Sequence, residues 1–309
     1  MLRTRLLTVI VLLLGLVSIA AWAPDPVFDG LLLLIISIAV FEWMRLLGVS
    51  AALSALIALC FVAGGLLALG ASFPPPLAPA AGAFPGGAFP EGAGLLPIPL
   101  TLLLLTYLFA ALIWVVAVPL SFRHFKPLGG RALLGKAAAL LLLSAAWFAL
   151  VQADSRGKGF LLSVLLIVWV ADTAAYFAGR AFGRHKLAPS ISPGKSQEGV
   201  AGAVLANLAL AAFLTIWPPA WFELNGGNVF LLLQEAIGWW LMLLVVFLLT
   251  LVSVVGDLYE SMIKRVAGAK DSGVILPGHG GVLDRIDALI AVFPVTMFVL
   301  LLVELGQRL

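Results

Sequence analysis

Nine apolar runs divide this chain, at about 6–22, 30–47, 51–71, 98–120, 133–152, 160–179, 199–218, 236–256 and 286–305. Each is close to the roughly 20 residues needed to cross the hydrocarbon core of a bilayer. Lipid offers the backbone no hydrogen bonds, so runs of this length must satisfy their own, as helices. Their ends are fixed to about 2–4 residues. Periodicity inside them says little, because a helix facing lipid is apolar all round. The expected fold is therefore all-α: a polytopic membrane protein of about nine transmembrane helices. With 63% hydrophobic and 11% charged residues, the soluble classes are excluded.

The first run has Arg3 and Arg5 before it and "AWA" at 21–23 after it, the pattern of a cleavable leader. Its length, and the spans that follow at once, favour an uncleaved first span. With the N-terminus placed in the cytoplasm and the spans alternating, 15 of the 18 Lys and Arg residues fall inside. Only Arg156, Lys158 and Arg308 fall outside. That bias is the positive-inside rule, and one span more or fewer would scramble it. The net charge of +3 thus reflects topology, with some contact to anionic lipid, and does not point to a nucleic-acid partner.

The outside tract 72–97 is rich in Pro, Gly and Ala, carries Glu91 as its one charge, and suggests no function. The absence of an evident internal repeat weakens a transporter reading. The single Cys60 excludes an internal disulfide and reads as a small packing residue. The inside segments 180–198 and 257–285 are instead long, polar and specific. They divide the chain into N-terminal spans, 1–150, and a C-terminal catalytic region, 151–309.

In "SVVGDLYESMIKR", a helix would align Asp257, Glu260, Ser261 and Lys264 on one face. In "LPGHGGVLDRID", Asp284 and Asp287 share a face of the next helix at its entrance. Three carboxylates thus reach one membrane surface, beside Lys264, Arg265, Lys270, Arg285 and His279. Carboxylates among so many cations suit a hard metal ion that holds phosphate oxygens. The glycines of "GHGG" let backbone N–H groups approach an anion.

In "VWVADTAAYFAGRAFGRHKLAPSISPGKSQEG", Asp172 lies inside the sixth run, with Tyr176 one turn on. An intramembrane carboxylate is a functional candidate, and a structural partner for an arginine is its serious rival. "SPGKSQEG" is a weak phosphate-loop match without the full spacing. Its blander reading is a helix start with Ser196 as the cap. In "FEWMRLL", Glu42 and Arg45 are spaced to pair, a structural role, with lipid-headgroup contact as the alternative. His124 and His185 read as solvated.

"SMIKRVAGAKDSGVILPGHGGVLDRID" resembles the C-terminal signature of bacterial phosphatidate cytidylyltransferases, also called CDP-diglyceride synthases. The pattern is complete at Ser261, Lys264, Arg265, Lys270 to Gly273, Pro277 to Gly281, Asp284, Arg285 and Asp287. The upstream block is similar too, with Ala174 in place of a glycine and Ser196 in place of a threonine. The resemblance covers 165–305, whereas the first 150 residues match only in being several spans.

The resemblance implies that CTP and phosphatidate give CDP-diacylglycerol and pyrophosphate. It implies Mg2+, with a monovalent cation such as K+ also implicated. It marks Asp257, Lys264, Asp284, Arg285 and Asp287 as catalytic, with the three aspartates as metal ligands. It marks Asp172, Ser192, Lys195, Glu198, Arg265, Lys270, His279, Gly280 and Gly281 as substrate-binding. A homodimer is a candidate assembly. The expected location is the bacterial inner membrane, with the site facing the cytoplasm. The residues fit this chemistry, because a phosphate monoester is already ionised near neutral pH and needs no general base. The rival classes are a CTP-dependent polyprenol or phytol kinase and a non-enzymatic transporter.

Overall fold

The computed structural model describes residues 24–69, 99–276 and 280–307. The expected first span at 6–22, the tract at 72–97 and His279 lie outside the described residues. Among the described residues, eight helices are long and apolar enough to cross a membrane, and each matches one of the expected runs. They are α1 (Asp25–Leu46), α2 (Ala51–Leu69), α3 (Leu100–Phe122), α4 (Leu133–Ser155), α5 (Lys158–Phe182), α6 (Gln197–Ile216), α8 (Val229–Ala267) and α10 (Leu289–Gly306). The chain is a multi-pass membrane protein.

Short elements connect them. β1 (Lys186–Ala188) and β2 (Ser192–Ser196) form a small antiparallel hairpin that the apolar pattern did not foretell. α7 (Ala220–Leu224) precedes α8, and α9 (Leu283–Ile286) precedes α10.

Caps and breaks follow local chemistry. Asn228 starts α8, accepting the Leu231 N–H at 2.9 Å through its side chain. Inside α3, residues Ile113–Ala117 widen into a π turn just before Pro119. A proline lacks the N–H that an α-helical bond needs there, and the wider turn accommodates it. α8 is interrupted at Gly238, whose φ of 79° and ψ of 169° are not helical. From Trp239 it continues to Ala267, well beyond the expected end at 256. Asp257, Glu260, Ser261 and Lys264 are therefore on the helix, which meets the condition for their sharing a face.

The buried apolar side chains of the long helices join in one core, in which Trp114, Trp147 and Phe293 are fully buried. α5 and α6 lie closely side by side. A side chain at Gly202 would collide with Ala178, and one at Gly199 would stand 2.9 Å from the Ala175 carbonyl oxygen. Small residues permit such approach where hydrophobic burial supplies no drive between lipid-facing helices. Asn207 on α6 is fully buried and donates to the Ile167 carbonyl on α5 and to Thr250 on α8, both at 2.9 Å. It ties three helices together beneath the polar end of the bundle.

Candidate functional site

A cavity of about 460 Å³ opens between α5, α6, β2 and the end of α8. Asp172, Tyr176 and Arg180 line it from α5. Ser192, Gly194 and Lys195 line it from β2, and Asp257 from α8. Apolar walls come from Ala171, Val200 and Val254. The two polar segments that are separate in sequence thus meet in one place. Arg265 also touches the hairpin, with its Nε 3.4 Å from the Ile191 carbonyl.

Lys195 pairs with Asp257 at 2.6 Å. The lysine stands there because Ser196 both ends β2 and caps α6, accepting the Gly199 N–H at 3.1 Å. The phosphate-loop and helix-start readings of "SPGKS" are therefore compatible: the cap fixes the strand end that carries the lysine. Glu198 stands in the first turn of α6 and binds His185, whose ring Nδ1 lies 2.7 Å and backbone N 3.1 Å from the carboxylate. Its role here is to close the base of the hairpin, and His185 is held rather than simply solvated.

Asp287 follows α9 and lies against α8 at Gly256. A methyl at Gly256 would stand 2.7 Å from the Asp287 carbonyl oxygen and 3.0 Å from Ala291 Cβ. Only glycine allows that approach, and it brings Asp257 beside Asp287. Burial, then the negative field of Asp257, pushes the Asp287 carboxyl well above the ordinary carboxylate range. The Ala288 N–H and the Lys195 ammonium oppose the rise, while Asp172 adds to it.

Asp284 has other partners. Its Oδ1 binds Lys264 at 2.6 Å, and its Oδ2 accepts the Ser272 and Gly281 N–H groups at 2.9 and 2.8 Å. Lys264 also reaches Glu260 at 2.6 Å, so it sits between two carboxylates. Burial alone would raise the Asp284 carboxyl. The neighbouring Glu260 carboxyl, with the hydrogen bonds from Lys264, Gly281 and Ser272, outweighs that and holds it down at about 2. Asp257 and Asp287 stand together with Asp172 nearby, while Asp284 fastens Lys264 and the preceding loop. Among the described residues, no three His, Cys, Asp or Glu side chains converge as a ready-made metal cage.

The described glycines of the loop before α9 lie against the protein's own carboxylates. Gly280, with φ of 84°, packs on Asp284. Gly273 and Gly281 press on Glu42 so closely that a side chain at either would overlap its carboxylate. Glu42 does not pair with Arg45, which donates to the Val49 carbonyl at 2.7 Å. Lys270 and Arg285 are exposed at the loop and on α9.

A model of the cytidylyltransferase family matches residues 3–303. Curated relatives that carry the name phosphatidate cytidylyltransferase match part of the chain, three of them as follows. The one from Haemophilus influenzae is 47% identical over 141 residues, which cover 45% of this chain and 44% of the relative. That from Pseudomonas aeruginosa is 46% identical over 158 residues, 50% of this chain and 53% of the relative. That from Staphylococcus saprophyticus is 39% identical over 152 residues, 49% and 53% respectively. The matched segment spans about half the length of these curated relatives. The family match runs through nearly all the spans as well as the cavity and the loop, so the chain belongs to the cytidylyltransferase family.

Proposed function

We propose that this protein is a phosphatidate cytidylyltransferase that joins CTP to phosphatidate, giving CDP-diacylglycerol and pyrophosphate. A phosphatidate oxygen attacks the α-phosphorus of CTP, and the bond to the bridging oxygen of the departing pyrophosphate breaks. The observation that carries this reading is the placement of Lys195, Arg180, Asp172 and Asp257 around one cavity at a polar end of membrane-spanning helices. A lipid phosphate confined to the membrane and a water-soluble nucleotide can meet only at such a boundary. We place that boundary at the cytoplasmic face of a bacterial inner membrane.

The chain's own residues divide the work. Lys195, released from Asp257, takes a nucleotide phosphate, and Arg180 at the cavity wall takes a second anionic group. Lys264, held by Glu260 and Asp284, keeps a fixed positive charge at the loop. Asp257, Asp287 and Asp172 form an acidic group in which one buried carboxyl is crowded by its neighbours. That donor set fits Mg2+, which keeps waters and takes one or two protein carboxylates alongside substrate phosphates. K+ beside it is part of the same proposal. Bound there, the divalent ion supplies charge neutralisation for the triphosphate and for the leaving pyrophosphate.

The test uses purified full-length protein in lipid nanodiscs with CTP, phosphatidate and magnesium. The expected result is pyrophosphate release that requires both substrates, with CDP-diacylglycerol formed in equal amount. Transfer of a γ-phosphoryl group to a lipid alcohol, or no reaction with either lipid, would overturn the reading.

A further inference from the structure

Glu42 lies on α1, far in sequence from either polar segment, yet it is 1% exposed and sits at the centre of the loop before α9. Both of its oxygens accept hydrogen bonds. Oε1 takes the Val282 N–H at 3.1 Å. Oε2 takes the Leu283 N–H at 2.8 Å and the Ser272 hydroxyl at 3.0 Å. The same hydroxyl accepts the Asp284 N–H at 3.3 Å. Glu42 is thus linked directly, and through one intermediary, to the backbone of three successive residues, 282–284. Gly273 and Gly281 are the residues that admit its carboxylate, since any side chain there would occupy its place.

We propose that Glu42 is a positioning residue for the candidate site, and that its negative charge sets the register of α9. The inference rests on the reading of Asp287 and Lys264 as working groups of that site. Asp284 holds Lys264, and Asp287 follows one helical turn later. A shift of the 282–284 backbone would move both. The carboxylate is suited to this work because both oxygens act as acceptors. A glutamine has one acceptor oxygen, and its NH2 group would face a donor. A buried donor left unsatisfied is costly, and more so beside a charged partner. The N-terminal spans are on this view part of the site's framework.

The test compares wild type, Glu42→Gln, Glu42→Asp and Ser272→Ala as full-length proteins in nanodiscs. Hydrogen exchange is read over the segment 280–289, and the magnesium dependence of pyrophosphate release is read in parallel. In Glu42→Gln, amides of 282–284 should exchange at least about tenfold faster, with α4 and α6 unchanged. Half-saturating magnesium should rise at least about fivefold, with Glu42→Asp intermediate in both readouts. Wild-type exchange in Glu42→Gln would overturn the proposal. So would a uniform loss of protection in all helices with unchanged magnesium dependence, since that marks a role in general stability only. Should Glu42→Gln fail to insert, wild-type loop exchange in both Glu42→Asp and Ser272→Ala overturns it equally. The exchange readout needs no turnover. A wild type that releases no pyrophosphate therefore counts against the proposed reaction and leaves the test of Glu42 intact.

Discussion

Lys195 on the hairpin and Asp257 near the end of α8 are joined by a 2.6 Å ion pair across the cavity. On the proposed reading a nucleotide phosphate would take the lysine away from the aspartate and leave that carboxylate to a metal ion, so that entry of anion and cation would be coupled.

Lys195→Ala should therefore raise the KM for CTP by about tenfold or more, equivalent to about 1.4 kcal/mol, while the protein still inserts. Lys195→Arg should keep part of the affinity, because it keeps the charge. Steady-state kinetics with CTP varied at saturating lipid checks this. An unchanged KM would reduce "SPGKS" to a helix start.

Asp257→Asn and Asp287→Asn should each cut turnover by orders of magnitude with modest effect on insertion. Asparagine keeps the shape and removes the charge. Asp172→Asn should have a smaller effect, since Asp172 is the weaker candidate for the same site, from the neighbouring helix. Magnesium titrations of turnover give the readout. Near-native, magnesium-dependent turnover in both Asp257→Asn and Asp287→Asn would mean that the metal is held elsewhere.

Gly256→Ala should damage the site without touching a charged group. The added methyl meets backbone at 2.7 Å, which cannot swing aside as a side-chain end can. The cost expected for such overpacking is about 1–3 kcal/mol, together with a fall in turnover of at least about tenfold. Thermal unfolding and turnover of the same preparation check the two effects.

Asp284 provides a pH test. Its folded-state value of about 2 lies below the ordinary carboxylate value. Its contribution is therefore fully present above the unfolded value near 4, and it is lost as pH falls through about 2. That contribution is on the order of 2 kcal/mol. Asp284→Asn should be less stable than wild type at neutral pH, and the gap should narrow as the pH falls below about 4. A gap that is constant with pH would show that the charge of Asp284 is not what holds the loop.

Labelling of single engineered cysteines tests topology. Positions in the hairpin and in the 268–276 loop should both react from the cytoplasmic side, as the placement of 15 of 18 basic residues requires. Labelling of either from outside would overturn the span order and the access of CTP together.

The eight described spans were legible because twenty apolar residues in a row have few alternatives. The extension of α8 past 256 was harder to read, since Asp257 to Lys264 look polar enough to be loop, yet Asp257 pairs with Lys195 of the hairpin and Lys264 with Glu260 and Asp284. The grouping of Lys195 with Asp257 was open to inference only as two polar segments on one surface. Glu42 was not legible at all. Its neighbour Arg45 offers an obvious local partner, and its true partners lie some 230 residues away. The glycines of the loop lie against Glu42 and Asp284, contacts that spacing along the chain does not reveal. The contact between Glu198 and His185 was not legible either, because it depends on the hairpin folding back onto the start of α6.

The interruption of α8 at Gly238 has a mechanical consequence. A straight helix of that length would transmit any tilt from one membrane surface to the other. The turns before Gly238 are held by α5 and α6, since the Val229 N–H donates to Ser163, the Asn228 amide donates to the Leu214 carbonyl and Phe230 is fully buried. The joint at Gly238 lets the helix leave that anchored start in a new direction, the one that carries Asp257 to Lys195.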